Sequence, residues 1–237
     1  MIAKNNYIHT EEIHNTKSAD AFLPFLKEYI NPQSVIDVGC GLGTWLKVFV
    51  DDGCNEILGV DGNYIDKSKL CIKEEYFLLH DLTCTLRLDK KYDLAICSEV
   101  AEHLPEDKAE VLIDTLINAS DTILFSAALP LQGGQNHVNE QPFAYWVQKF
   151  NDKGFVMKDY FREKIWDNSN IDWWYKQNLF LVVRSDQEQE PILDYYHPAR
   201  YLAYAHEKQK LSDILQGKLP VFGAIKIFIK SVLKGNF

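Results

Sequence analysis

The chain has 237 residues, 46% of them hydrophobic and 25% charged, which is enough for one large globular domain and excludes a disordered tail protein or a coiled coil. Its net charge of −9 argues against general nucleic-acid binding, because a phosphate backbone demands a basic face. Five widely spaced cysteines without a C-x-x-C pair fit neither a zinc site nor a disulfide framework, and the N-terminus lacks the apolar run of a signal peptide; a reduced, cytoplasmic protein is expected.

Residues 1–33 read as a helical lead-in. Apolar side chains recur at helical spacing over 18–30, with Pro24 as a kink or a helix start. His9, His14 and Asn15 in this segment can form a lid over a ligand, against the plainer reading of a packing helix. Residues 34–38 (S-V-I-D-V) then predict a short buried strand that runs into the glycine cluster Gly39-Cys40-Gly41-Leu42-Gly43, and residues 44–50 a helix closed by Asp51-Asp52-Gly53. Further strands are expected over 56–61, 76–81, 92–98, 121–127, 155–162 and 179–184, with helices over 106–118 and 141–153. Apolar strands alternating with amphipathic helices predict an α/β fold whose parallel sheet is covered on both faces. The domain spans 34–184, and the polar stretch 185–191 reads as a linker into a C-terminal extension that reaches residue 237.

The extension predicts a helix over 199–216 and then a basic tail. Lys226, Lys230 and Lys234 fall four apart on one helix face, opposite Ile225, Phe228, Ile229, Val232 and Leu233. Such a helix can pack on its own domain or on a second copy of the chain. It can also lie on an anionic membrane at the inner face or dock on a partner. No run reaches the 18 or so apolar residues that span a bilayer.

The glycine cluster between strand and helix is a ligand-binding turn, since glycines let the chain bend sharply and let a ligand approach the backbone. A dinucleotide fingerprint is G-x-G-x-x-G. Here the spacing is G-x-G-x-G and Asp37 stands two residues before the first glycine; an anion there suits a cationic ligand better than a pyrophosphate. Asp61 ends the next strand, where a carboxylate can accept both hydroxyls of a ribose. Asp81 ends the third, where it can meet an adenine amino group.

With these residues in place, the sequence resembles the class I S-adenosylmethionine-dependent methyltransferases. The resemblance runs through D-V-G-C-G-L-G, G-V-D-G, H-D-L and S-E-V-A-E-H-L-P. A bacterial subgroup associated with surface-polysaccharide biosynthesis is the closer likeness, through G-T-W-L, F-S-A-A-L-P-L-Q-G-G, H-V-N-E-Q and W-W-Y-K-Q-N. It implies a Rossmann-like fold with a seven-stranded, mostly parallel sheet. It also implies S-adenosylmethionine as cofactor, leaving S-adenosylhomocysteine as product. Asp37 with the loop Gly39, Cys40, Gly41 and Gly43 would hold the methionine moiety, Asp61 the ribose hydroxyls, Asp81 and Leu82 the adenine, and Ser98 and Glu99 the methionine side, with Trp45 and Gly62 as further cofactor contacts. The acceptor it implies is an oxygen of a sugar or sugar-linked group. An amine or a phosphorylated headgroup, or a cofactor-binding scaffold that recruits a glycosyltransferase, are the competing readings.

An alcohol acceptor must lose a proton, which calls for a base near neutrality. His103, after strand four, and His137, after strand five, both belong to the sheet edge where α/β folds bind ligands. Glu102, Asn139, Glu140, Trp173 and Trp174 are candidate acceptor contacts. Asn139 competes with N-capping of the helix expected at 141, and the tryptophans, grouped with Trp166 and Tyr175, with core or edge-strand packing. Glu102, His103, His137 and Glu140 are metal-ligand types, but no pair has the H-x-x-x-H spacing that fixes a metal, and none is expected.

Overall fold

A computed structural model describes residues 15–216 and residue 218. Seven strands form one sheet in the order β3-β2-β1-β4-β5-β7-β6: β1 (Ser34–Val38), β2 (Glu56–Asp61), β3 (Phe77–Leu79), β4 (Leu94–Ser98), β5 (Thr122–Ser126), β6 (Phe155–Lys158) and β7 (Phe180–Arg184). The central strands β1, β4 and β5 are buried on both faces. That is why their sequences are continuous apolar runs rather than alternating ones. β1 to β5 pair in parallel, whereas β7 runs antiparallel to both β5 and β6. The sheet is therefore mixed at one edge, where a purely parallel one reads from the alternation alone.

Helices cover both faces. α1 (Lys17–Leu26), α2 (Thr44–Asp51), α5 (Arg162–Ile165) and α6 (Trp173–Asn178) lie on one side, and α3 (Ala109–Ala119) and α4 (Phe143–Asn151) on the other. Phe22 of α1 meets Trp45 of α2 and Phe161 edge-on, at centroid distances of 5.8 and 4.8 Å. Trp146 and Phe150 of α4 pack on Phe125 of β5. Pro24 sits inside α1, and Asn15 Oδ1 accepts the Lys17 N–H at its start. The strand order reverses between β1 and β4, and the carboxyl ends of the strands at such a switch point are where open α/β sheets bind ligands.

Several boundaries differ from expectation. β3 stops at Leu79, short of Asp81, because Asp81 turns back to bind its own loop. β6 stops at Lys158 rather than 162. There Asp159 takes the Arg162 guanidinium and the chain turns into α5. α4 begins at Phe143, not at 141, and its first N–H is accepted by Asp194 Oδ1 at 2.9 Å. Asn139 does not cap it.

The stretch expected to be a linker is bonded to the domain over its second half. The Gln189 side-chain amide bonds both the N–H and the carbonyl of Met157 on edge strand β6, as a neighbouring strand would. Arg162, 1% exposed, donates to the Leu193 carbonyl and lies between the rings of Phe180, Phe143 and Tyr195. The chain then enters α7 (Pro198–Leu215), capped by His197 Nδ1 on Ala199 N–H and exposed along most of its length. The basic tail with Lys226, Lys230 and Lys234 lies outside the described residues, as do His9 and His14. Among the described residues no helix is long and apolar enough to cross a membrane.

Candidate active site

The glycine cluster forms the turn from β1 into α2, and its backbone explains its composition. Gly39, Gly41 and Gly43 have φ of +86°, +54° and +76°, which side-chain-bearing residues adopt only with strain. A Cβ at Gly39 would stand 2.4 Å from Val100 Cγ2, so the turn also packs against the segment that follows β4.

Asp61, at the end of β2, holds this turn. Its Oδ2 accepts the Gly41 N–H at 2.7 Å, and its Oδ1 accepts the Gly62 N–H at 2.6 Å and the Tyr64 hydroxyl. The carboxylate expected to meet a ribose thus has three partners within the chain, of which Tyr64, 43% exposed, stands on the solvent side. Burial pushes the Asp61 carboxyl up, against the pull of Tyr64, Gly62 and Gly41. Asp37 is buried beside it, and its carboxyl lies well above the usual range through burial and the neighbouring Asp61. Two buried carboxyl groups thus stand together beside the glycine turn.

Other expected cofactor residues are placed differently. Cys40 is buried, its Sγ 3.6 Å from the Gly41 carbonyl. Trp45 packs in the core, edge-on to Phe22 and 5.4 Å from the Tyr175 ring. Asp81 is exposed and accepts the N–H and hydroxyl of Thr83 at 2.9 and 2.7 Å, which holds its carboxyl below the usual range. Leu82 is half-buried against the core.

The β4 and β5 ends form the second half of the site. Ser98 Oγ lies 3.0 Å from Ser126 Oγ. Glu99 adopts φ +55° and its N–H donates to Ser126 Oγ. Its two oxygens accept from Gln132 Nε2 and Asn178 Nδ2, each at 3.0 Å. Burial raises the Glu99 carboxyl, opposed by these amides, by Ser126 and by the nearby His137. Asn178 and Gln177 also donate to Gln132 Oε1, and Gln177 Oε1 accepts the His197 N–H from the extension. A buried amide network therefore runs from Glu99 to the C-terminal segment.

Beside it, the loop after β5 brings His137 to His103, with rings 4.8 Å apart and nearly perpendicular. The Val138 and Asn139 N–H groups donate to the Glu102 carbonyl, which ties the loop to the turn after β4. His137 Nδ1 meets Glu140 Oε1 at 2.8 Å, and Glu140 also accepts the Gly133 N–H at 2.6 Å. Burial works to raise the Glu140 carboxyl, but these bonds overcome it and hold it below the usual range. An ionised Glu140 makes Nδ1 the donor, and the other ring nitrogen, His137 Nε2, stands 4.0 Å from Glu102 Oε1. Gly134 lies flat against that ring: a Cβ there would be 2.1 Å from Nε2. His103 is pushed down to about 4 by burial and by His137, so it is neutral at pH 7 and a weak base. Among the described residues, one donor atom each of Glu102, His103 and His137 lies within 4.8 Å of the others.

Gln132, Gln177, Asn178 and Arg162 had no role assigned from sequence. The signal was at hand, since Gln132 lies in L-Q-G-G and the other two amides in W-W-Y-K-Q-N. The aromatic cluster, in contrast, divides. Trp173 and Trp174 open α6 and pack on each other, whereas Trp166 packs on His197 of the extension. They do not form one aromatic platform.

A family model described as methyltransferase domain matches residues 10–178. Among solved structures, the magnesium protoporphyrin IX methyltransferase of Synechocystis PCC 6803 with bound S-adenosylhomocysteine is 21% identical, with a TM-score of 0.54 over 72% of this chain and 83% of that one. An S-adenosylmethionine-dependent methyltransferase from Clostridium acetobutylicum ATCC 824 is 10% identical, with a TM-score of 0.52 over 73% and 93%. A search of curated proteins finds no match.

Proposed function

The chain belongs to the methyltransferase-domain family, and from that premise we propose that it methylates an oxygen on a sugar or sugar-linked group. S-adenosylmethionine is its methyl donor. When bound, that cofactor supplies an electrophilic methyl on sulfur, so that a C–O bond to the acceptor forms as the C–S bond breaks, leaving S-adenosylhomocysteine. The glycine turn and its two carboxyl groups support this ligand: the turn sets main-chain atoms without side chains beside Asp37 and Asp61, whose carboxyls can meet a cation and ribose hydroxyls. At Asp61 a ribose hydroxyl would take the place now held by the exposed Tyr64.

One observation carries the oxygen reading: Glu140 takes the His137 Nδ1–H, which leaves Nε2 as the ring atom that can exchange a proton with an acceptor. A neutral amine needs no such group, whereas an alcohol must lose a proton as it attacks. Holding donor and acceptor at two rigid strand ends supplies the rest of the acceleration by orientation. The sugar itself follows from the resemblance to the polysaccharide-associated subgroup.

Calorimetry with S-adenosylmethionine and NAD on wild type and Asp61→Ala tests the cofactor half. The sulfonium compound is expected to bind the wild type and NAD not. Loss of a hydrogen bond to a charged group, about 1.5–3 kcal/mol, weakens the variant roughly 10- to 100-fold. Transfer of a labelled methyl group to glycans and to amines tests the acceptor half. Label found on nitrogen alone would overturn the oxygen reading.

A further inference from the structure

Among the described residues Glu102 is a buried acid that the fold does not explain. It is fully buried; the Glu102 and Ala128 backbone N–H groups pull against that burial, but among the described residues no side chain is hydrogen-bonded to either carboxylate oxygen. An ionised carboxylate in that position is costly unless a cation or donor meets it. Among the described residues no lysine or arginine is paired with it, and the His137 imidazole lies 4.0 Å away. Glu99 and Glu140 add negative charge around it.

We propose that Glu102, His103 and His137 bind a divalent first-row cation of the Mn²⁺–Zn²⁺ series. The donor set, two imidazoles and one carboxylate, suits this class rather than an all-oxygen ion. The three donor atoms lie within 4.8 Å of one another, with His137 Nε2 and Glu102 Oε1 at 4.0 Å. Donors on such an ion stand about 2.1 Å from it and hence roughly 3.4 Å from each other, so binding draws them in by about 1 Å.

The surroundings fit as well. His137 gives its Nδ1–H to Glu140, the carboxylate–histidine arrangement that orients ligating imidazoles. The loop carrying His137 is fixed to Glu102 through the Val138 and Asn139 N–H groups. Three protein ligands leave coordination positions open, as in catalytic rather than structural sites.

The open positions take an oxygen of the acceptor, and this part rests on the oxygen reading above. Coordination lowers the pKa of a bound hydroxyl. In the cation-bound form His137 Nε2 is a ligand in place of the base role given to it above, and the acceptor proton, made more acidic by coordination, leaves to water.

The test uses untagged full-length protein, freed of metal with a chelator and titrated with Mn²⁺, Co²⁺ and Zn²⁺ by calorimetry, with the visible spectrum of the Co²⁺ form as a second readout. One equivalent is expected to bind, with Co²⁺ absorption typical of nitrogen and oxygen ligands. Glu102→Gln should weaken binding at least about 100-fold and Glu140→Gln about 10-fold. Should Glu102→Gln fail to fold, His103→Asn carries the same test. No stoichiometric binding, or binding unchanged in a folded Glu102→Gln or His103→Asn variant, overturns the site. S-adenosylmethionine is titrated into the same samples, so failure of the methyltransferase reading shows as lost cofactor binding with metal binding intact.

Discussion

At the β1–β2 end of the site the glycine turn is held by Asp61, 20 residues along the chain from Gly41. At the β4–β5 end, Glu99 is held by Asn178, 79 residues away, and through Gln177 by His197 of the extension. The first half is a local strand–turn–helix unit that needs only its neighbouring strand. The second is an assembly of four remote segments: the turn after β4, the loop after β5, α6 and the chain leading into α7. Arg200 donates to the Leu131 carbonyl and Tyr196 to that of Pro130, so the extension grips the loop that carries His137. The cofactor half and the acceptor half should therefore respond differently to changes in the C-terminal segment.

The largest effect is expected from Gly39→Ala. The left-handed φ of +86° and the 2.4 Å approach to Val100 together cost about 3 kcal/mol, read as a fall of roughly 6–12 °C in melting temperature. A loss below about 1 kcal/mol would mean the turn is more yielding than a local unit should be.

Arg162→Met comes next. It keeps much of the aromatic packing but leaves Asp159, 29% exposed, and the Leu193 carbonyl without their donor, at about 2 kcal/mol in urea denaturation. Acceptor turnover should fall while S-adenosylmethionine affinity holds. An equal fall in both would dissolve the distinction between the halves.

Asn178→Leu removes one donor to Glu99 and one to Gln132 and is expected to cost about 1–2 kcal/mol, again with the cofactor affinity preserved.

The smallest effect is a pH dependence of cofactor binding. Burial raises the Asp61 carboxyl, and the proposed role at the ribose needs it ionised. Affinity is thus full above that raised pKa and is lost as pH falls through it, starting at higher pH than for an ordinary aspartate near about 3.9. Asp81, held below the usual range by Thr83, would give the opposite displacement, so calorimetry across pH tells the two apart. Fold stability runs the other way. The contribution of Asp61 is fully present below its unfolded pKa and is lost as pH rises through the raised one.

The division between the halves is also the division in what the sequence disclosed. β1, the glycine turn, α2 and β2 follow from residues next to one another: an apolar run, glycines where φ is positive, an acid at the strand end. Seven strands, the alternation with helices and the glycine turn beside its acids are legible for that reason. The reversal of β7 is not, since a strand's apolar pattern is the same in either direction. Nor does spacing disclose that Glu102, His103 and His137 meet, that Trp166 leaves the other tryptophans for the extension, or that Asp194 rather than Asn139 caps α4. Those contacts join segments remote in sequence, and only the order of the strands in the sheet and the path of the chain across its edge bring them together.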